Sequence, residues 1–263
     1  MNHRLIALVG LGAAASLPAW SAAFAQESDD LRVRVGVGAQ MRPEFVGADG
    51  TEVAPLWDLD FARGTNEFAF EAPDYSFGLP VVSAGGFSFG PAANLASGRQ
   101  NSDVDAPVGR VPTTIEAGAF ASYHLTRSLQ LRAELLKGIG GHKGVVGEVG
   151  ADQVWRDGDR YVLSIGPRVL FSDGRYQRAY FGVSPAAALA SELPAYRPGG
   201  GIHGVAAASG LSVQFTPRWG MFGFARYERL VGDAAKSPIV RELGSRNQLS
   251  GGLGLNYTFT IRR

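Results

Sequence analysis

Asn247-Gln-Leu-Ser-Gly-Gly-Leu-Gly-Leu-Asn-Tyr-Thr-Phe259 is the stretch that decides the fold of this chain. The apolar side chains Leu249, Leu253, Leu255, Tyr257 and Phe259 all occupy odd positions, whereas the even positions are polar or glycine. Successive side chains of a β-strand point to opposite faces, so this pattern predicts a strand with one apolar and one polar face. An apolar face that ends in the aromatic pair Tyr257 and Phe259 is what the closing strand of a lipid-embedded barrel requires.

A second strand with the same parity lies near the other end of the chain. Residues 31–41 place apolar side chains at odd positions, and Arg32, Arg34 and Gln40 face the opposite way. A strand of a soluble sandwich alternates too, so this pattern alone leaves the environment open. Because both strands present odd-numbered apolar residues, the first and last strands can pair as neighbours and close a barrel.

The N-terminus predicts a secretory signal peptide over residues 1–25. Arg4 precedes an apolar run over residues 5–20, and Ala23-Phe24-Ala25 has the small-x-small pattern of a cleavage site. A membrane-spanning anchor is the alternative, but the run is shorter and richer in alanine than the roughly 20 apolar residues that a spanning helix needs. The mature chain is therefore expected to span residues 26–263 as one outer-membrane β-barrel domain.

Composition excludes several classes of protein. The chain has no cysteine, so disulfide bonds and thiolate metal sites are impossible. Removing Arg4 with the signal peptide lowers the 25 Lys and Arg residues by one to 24, equal to the 24 Asp and Glu residues. This balance argues against a nucleic-acid partner, which requires a basic excess. No apolar run after residue 25 is as long as a transmembrane helix, so entry into a membrane requires a closed barrel.

Alternation between these two ends predicts twelve strands in all. Connections after the first, fifth, ninth and eleventh strands are long, and those after the even-numbered strands up to the tenth are short. We therefore predict an all-β, transmembrane, antiparallel up-and-down β-barrel with long extracellular loops and short periplasmic turns. Ten strands are the alternative, if the third and fourth form one irregular segment with their neighbour. The ten strands between the ends fall near residues 57–61, 67–71, 75–79, 87–95, 115–123, 129–135, 145–155, 161–171, 205–215 and 219–227.

Four segments of the chain resemble the signature segments of a known family. They are Tyr180-Phe-Gly-Val-Ser184, Ser191-Glu-Leu-Pro-Ala-Tyr196, the Gly-Asp-Ala-Ala-Lys-Ser-Pro-Ile-Val run at 232–240, and Gly141-His-Lys-Gly144. Over residues 33–259 the chain is similar to the MipA/OmpV family of MltA-interacting outer-membrane proteins. This resemblance implies a non-catalytic scaffold that joins a lytic murein transglycosylase to a murein synthase, and some members are porin-like.

Loop residues in these segments are the first group of candidate functional residues. Aromatic and proline side chains are unusual in an exposed loop, so they either fold over the barrel mouth as a plug or form a surface for a partner. For Asp233 and the Ser-Pro pair, shaping a turn is the simpler interpretation. The candidates are Tyr180, Phe181, Gly182, Ser191, Pro194, Tyr196, Asp233, Ser237 and Pro238.

Charged residues on the inward face form the second group. Opposite charges that face a barrel interior either satisfy one another in a filled or gated lumen, which we favour, or line an open pore. The candidates are Arg32, Arg34, Asp58, Asp60, Glu116, Arg132, Glu134, Arg168, Arg226 and Glu228.

Catalytic and cofactor chemistry finds little support in the sequence. After residue 25 the histidines are His124, His142 and His203, and their spacing fits no metal site. His124 or His203 could be drawn with Ser122 or Ser209 as an acyl-transfer pair, but no motif supports this. We expect a protein that is not an enzyme and holds no cofactor, and that sits in outer-membrane lipid as a monomer.

Overall fold

The computed structural model describes residues 30–262, and the predicted signal peptide and its cleavage site lie outside the described residues. Among the helices of the described residues, none has the length and apolar character needed to cross a bilayer. The strands are β1 (Leu31–Pro43), β2 (Thr51–Arg63), β3 (Phe77–Gly78), β4 (Val82–Ala84), β5 (Phe87–Ala96), β6 (Thr114–Thr126), β7 (Leu129–Gly140), β8 (Val145–Asp157), β9 (Tyr161–Ser172), β10 (Gly201–Gln214), β11 (Trp219–Leu230) and β12 (Asn247–Ile261). The helices are α1 (Gly174–Phe181), α2 (Pro185–Ser191), α3 (Gly232–Lys236) and α4 (Pro238–Glu242), with a short 3-10 helix at Asn101–Asp103.

The strands form one curled antiparallel sheet. Its order is β2-β1-β12-β11-β10-β9-β8-β7-β6-β5-β3, and β4 also pairs with β5. The first and last long strands are neighbours, with Val35 opposite Tyr257 and Val37 opposite Leu255. The predicted all-β antiparallel fold with twelve strands is confirmed, and ten of the twelve strands are long.

The outer face of the sheet is apolar and the inner face is polar. Odd-numbered side chains such as Val37, Trp57 and Leu253 are 56%, 70% and 64% exposed. Even-numbered neighbours such as Arg34 and Asn256 are buried on the other face. This division follows the alternation in the sequence, and it gives the wall the apolar outer surface of a transmembrane barrel.

Several strands are longer than the sequence predicted. Strand β1, predicted over residues 31–41, continues to Pro43, and β2, predicted near residues 57–61, begins at Thr51. The last strand passes Phe259, since Thr260 and Ile261 pair with Arg32 and Leu31. Ladder hydrogen bonds to a neighbouring strand extend both regions beyond the limits that side-chain alternation indicates.

The predicted wall strand at residues 67–71 is wrong. Residues 64–76, here called the inner segment, leave the end of β2 and run through the interior of the curled sheet instead of joining it. The Phe68 ring lies 4.5 Å from the guanidinium carbon of Arg34, which projects inward from β1. Of the predicted strand at 75–79, Phe77–Gly78 forms β3, and Val82–Ala84 forms a separate short strand.

The two ends of the sheet differ. The turn end carries the short connections 85–86, 127–128, 158–160 and 215–218, whereas the loop end carries the connections 44–50, 97–113, 141–144, 173–200 and 231–246. Apolar side chains from four of the loop-end connections form one buried cluster, here called the cap. Its buried members are Phe45, Ala48, Val104, Ala106, Val108, Val111, Tyr176, Tyr180, Phe181, Val183, Ala187, Leu230, Ala234, Ile239 and Val240.

Candidate functional site

Asp74 of the inner segment holds that segment in the middle of the lumen. Its Oδ1 lies 3.0 Å from Nη2 of Arg168 on β9, and its Oδ2 lies 3.0 Å from Nη1 of Arg226 on β11. The Asp74 side chain is 2% exposed and the Arg168 side chain is fully buried. Such buried charges need partners, because each one loses its hydration.

Further carboxylates complete this group. Arg168 also lies 2.8 Å from Asp152, and Arg226 lies 2.7 Å from Glu148 and 3.2 Å from Glu228. The structure thus brings together three of the predicted lumen residues, Arg168, Arg226 and Glu228. Sequence reasoning missed Asp74, which it treated as a break between strands, and Asp152, whose inward direction the alternation of β8 could have indicated.

Arg132 on β7 organises a second group of contacts with the inner segment. It lies 3.4 Å from Glu134 and 3.7 Å from Glu71, and its guanidinium carbon is 4.7 Å from the centre of the Tyr75 ring. Ser76 donates a hydrogen bond of 2.6 Å to Glu134. Tyr75 donates one of 2.7 Å to Asp152, which links this group to the first.

A third group closes the lumen near the turn end. Arg34 donates from Nε to Asp60 at 3.0 Å and lies 3.6 Å from Asp58. Arg32 forms an ion pair of 3.0 Å with Asp159, which also accepts the backbone N–H of Phe68. These four predicted lumen residues face inward together, and the aromatic ring of Phe68 covers both arginines.

The histidines have partners that the sequence did not indicate. The sequence showed only that the histidines lack metal-ligand spacing, and in the structure Nε2 of His142 lies 2.9 Å from Glu116, the remaining predicted lumen residue. His203 contacts Ser172 at 3.0 Å instead of a predicted serine, and both side chains are buried. His124 contacts Gln130 at 3.3 Å. Within residues 30–262, no cluster of three or more His, Asp or Glu residues could hold a metal ion.

One cavity of the barrel lies between the inner segment and the cap. It has a volume of about 280 Å³ and is lined by Asp74, Glu116, Glu134, Glu148 and Glu228, together with Arg42, Arg226 and several neutral residues. It shares its loop-end wall with a pocket of about 690 Å³. On the far side, the space between the inner segment and β9 and β10 is only about 30 Å³. The inner segment therefore packs closely against β9 and β10.

The predicted aromatic loop residues lie inside the cap. Tyr180 and Phe181 are fully buried at the end of α1. Tyr180 donates a hydrogen bond of 2.7 Å to the Ser97 carbonyl, and Ser237 donates one of 2.8 Å to the Phe181 carbonyl. Gly182 follows α1, where a Cβ atom would come within 2.5 Å of the Arg178 carbonyl oxygen. Burial of both rings favours the plug interpretation over a binding surface made by these two residues.

Other predicted loop residues join the 173–200 and 231–246 connections. Tyr196 donates a hydrogen bond of 2.9 Å to the Asp233 carbonyl. The Asp233 carboxylate accepts the Gly199 N–H at 3.0 Å, and this bond, with Lys236 nearby, holds the pKa of Asp233 below its usual range. Pro238 begins α4 and is buried. Ser191 donates back to the Ala187 carbonyl within α2, and Pro194 is exposed.

Arg99 is a buried cap residue that sequence reasoning missed. It is 1% exposed and donates to the carbonyls of Gly109 at 3.2 Å, Ala179 at 3.3 Å and Tyr180. Burial lowers the pKa of Arg99 to about 10. The two carbonyls from α1 lie at the helix C-terminus, where the helix dipole favours a positive charge. Arg99 therefore ties the 97–113 connection to α1.

Comparison with known proteins agrees with this architecture. The model of the family described as "MltA-interacting protein MipA" matches residues 35–259. The chain belongs to this family. Membership, together with the apolar outer wall, makes the protein an outer-membrane β-barrel of the MipA family.

Solved structures of outer-membrane barrels are similar only at low identity. The KdgM porin is 10% identical with a TM-score of 0.36, covering 88% of this chain and 99% of the porin. The translocator domain of autotransporter NalP from Neisseria meningitidis is 16% identical with a TM-score of 0.38, covering 88% and 89%. The outer membrane channel DcaP of Acinetobacter baumannii is 9% identical with a TM-score of 0.40, covering 88% and 97%. No curated protein matches the chain.

Proposed function

We propose that this MipA-family barrel is a non-catalytic scaffold that brings a lytic murein transglycosylase and a murein synthase together at the outer membrane. The observation that carries the proposal is the family match over residues 35–259, whose description includes interaction with MltA. The filled lumen fits this role, because a scaffold needs a stable body and no open passage. We also propose that residues 1–25 are a cleaved signal peptide and that the barrel works as a monomer.

The turn end offers a surface for such partners. Exposed arginines end β2 and occupy three of the short turns. One of them, Arg160, lies 3.8 Å from Asp157. Around the sheet the arginines are Arg63, Arg218, Arg160 and Arg127. A row of positive charges fits a periplasmic partner with an acidic surface.

Affinity capture from envelope extracts tests the scaffold and its surface together. The unmodified barrel is expected to recover a lytic transglycosylase and a murein synthase. The charge-reversed variant Arg127→Glu/Arg218→Glu is expected to recover less, whereas the loop-end control Lys143→Glu/Arg175→Glu is expected to match the unmodified barrel. Recovery of no murein enzyme by the folded barrel would rule out the scaffold role.

A small-solute channel is the second candidate. It is favoured by the 280 Å³ cavity and by the adjoining pocket at the loop end. A channel would give discrete conductance steps in planar bilayers. Because Arg32 and Asp58 belong to the turn-end ion-pair group, Arg32→Ala or Asp58→Ala is expected to change those steps. A silent bilayer with correctly folded protein would remove this candidate.

A further inference from the structure

The sheet has an unpaired seam between β2 and the short strands β3 and β4. β2 pairs with β1, and β3 and β4 pair with β5, but no ladder in the described chain joins β2 to β3 or β4. Side chains beside the seam face the outer surface, since Trp57 is 70% and Val81 is 63% exposed. Open sheet edges do not occur against the hydrocarbon of a membrane, because their backbone groups would stay unsatisfied.

Strand direction specifies what could fill this seam. β2, β3 and β4 all run from the loop end towards the turn end, because each is antiparallel to a strand that runs the other way. A strand placed between them must run from the turn end to the loop end, because only then is it antiparallel both to β2 and to β3 and β4. The inner segment joins β2 to β3 in the chain and already runs from the turn end towards the loop end.

The first turn of the required hairpin already exists. The N–H of Asn66 donates to the Arg63 carbonyl at 3.1 Å, and Gly64 has a φ of +55°. This is the bonded pair that flanks a two-residue hairpin loop, in which glycine supplies the positive φ. The turn therefore sets a register in which the residues after Asn66 lie opposite those before Arg63.

In that register the apolar side chains of the segment would face the lipid and its acidic side chains would face the lumen. It places Phe68 opposite Phe61, Phe70 opposite Leu59, and Ala72 opposite Trp57. The three β2 residues are exposed on the outer face, so the segment would add apolar side chains to the lipid surface. Glu67, Ala69 and Glu71 would face the lumen, as the polar side of a barrel strand does.

We propose that residues 66–72 have two positions, a plug inside the lumen and a wall strand that fills the seam between β2 and β3–β4. In the wall position the barrel is closed and the lumen is open, so the protein is a gated channel. Ion pairs of Asp74 and the contact of Phe68 with Arg32 and Arg34 hold the plug position. Glu71 would lie opposite Asp58 in the wall, so the repulsion between these carboxylates favours the plug, whereas pairing of the open seam favours the wall.

Two engineered disulfides test the proposal in a chain that has no cysteine of its own. A Cβ atom on Gly210 of β10 would lie 2.7 Å from Pro73 Cδ, so Pro73→Cys/Gly210→Cys tethers the plug. Leu59→Cys/Phe70→Cys tethers the wall strand, because Leu59 now points outward while Phe70 is buried in the lumen. Single-cysteine variants are the controls, and heat modifiability of the reduced variants in detergent gels reports folding.

Both pairs are expected to form disulfides under mild oxidation of the full chain in lipid. The Pro73–Gly210 bridge is expected to abolish conductance steps that return on reduction. The Leu59–Phe70 bridge is expected to raise their frequency by about tenfold or more over its reduced form. If the second bridge fails to form in folded protein, or forms without raising conductance, the proposal is overturned. Capture of murein enzymes depends on neither bridge, so the scaffold proposal stands or falls separately.

Discussion

Asp74 illustrates how one side chain secures the interior of the barrel. Its two carboxylate oxygens serve two buried arginines on different strands, each at 3.0 Å. Removing one partner of a buried ion pair leaves an uncompensated charge, so we expect Asp74→Asn to lower the free energy of unfolding by about 3 kcal/mol. Urea titration in detergent micelles, followed by tryptophan fluorescence, measures the change.

The matched control is an exposed pair. Asp157 and Arg160 lie 3.8 Å apart, with 61% and 80% of their side chains exposed. Asp157→Asn is therefore expected to change the free energy of unfolding by less than about 0.5 kcal/mol. Equal shifts for the two variants would show that Asp74 does not carry the interior network.

Asp173 gives the cap a pH dependence at its first helix. Its Oδ1 accepts the N–H groups of Arg175 and Tyr176 at 3.0 and 2.9 Å at the start of α1. Partial burial alone would raise the pKa of Asp173, but these backbone donors outweigh burial and hold the pKa below 3.8. A lowered pKa stabilises the folded state above the unfolded-state value, and that stability is lost as the pH falls through the folded-state value.

Hydrogen exchange of the α1 peptide measures this contribution. Asp173→Ala is expected to destabilise the helix by about 1 kcal/mol near neutral pH, whereas Asp173→Asn keeps an oxygen that can cap the helix. The unmodified chain is expected to lose α1 protection as the pH falls below about 4, and the Asn variant is expected to lose less. Identical pH profiles for both would contradict the assignment to Asp173.

Single residues also show where sequence reasoning reaches its limit. Alternation correctly indicated the inward direction of Arg34, Glu116 and Arg168, because side-chain direction in a strand depends only on position. Asp74 and Arg99 lie in connections without a period, and their partners are 94 and 81 residues away in the chain. Only the curling of the sheet brings such residues together, so no local pattern could have indicated them.

At the scale of elements, the inner segment shows that a strand-like alternation does not decide whether a segment lies in the wall or in the lumen. Residues 67–71 alternate as a wall strand does, and the structure buries Phe68 and Phe70 in the lumen instead. Arg32, Arg34 and Arg132 need aromatic and anionic partners inside, and the segment supplies both. By contrast, β1 and β12 pair with each other in the wall, and they cover the residues that their alternation predicts and two more at one end of each strand.

The cap is expected to be an element that can be loosened separately from the wall. Ile239 in α4 is fully buried in the cap cluster, so Ile239→Ala is expected to cost about 2–5 kcal/mol. Leu189 in α2 is 92% exposed, and Leu189→Ala is expected to change stability by less than about 0.5 kcal/mol.

Limited proteolysis separates the effects of these two variants. Ile239→Ala is expected to expose cleavage sites in the 173–200 and 231–246 connections while the barrel keeps its heat-modifiable migration in detergent gels. Leu189→Ala is expected to be cleaved like the unmodified protein. If Ile239→Ala also abolishes heat modifiability, the cap and the wall fold as one unit.

At the scale of the whole molecule, the apolar outer surface requires a lipid bilayer around the wall. Leu253 lies at the centre of β12 and is 64% exposed, whereas Asn247 begins the same strand at the loop end and is also exposed. An arginine on the lipid face costs about 2–4 kcal/mol at the bilayer midplane and about 0–1 kcal/mol near its surface. Leu253→Arg is therefore expected to reduce the folded fraction in lipid vesicles much more than Asn247→Arg.

Heat-modifiability gels after folding into vesicles measure these fractions, and the same pair in short-chain detergent serves as the reference. Detergent adapts around a charged side chain more readily than a bilayer, so the difference between the two variants is expected to shrink there. A difference that is equally large in detergent would assign the effect to packing against the cross-strand neighbours Ala39 and Gly223 instead of to lipid. A Leu253→Arg protein that folds in vesicles like the unmodified chain would place this face outside the hydrocarbon, and the membrane orientation of the barrel would have to be abandoned.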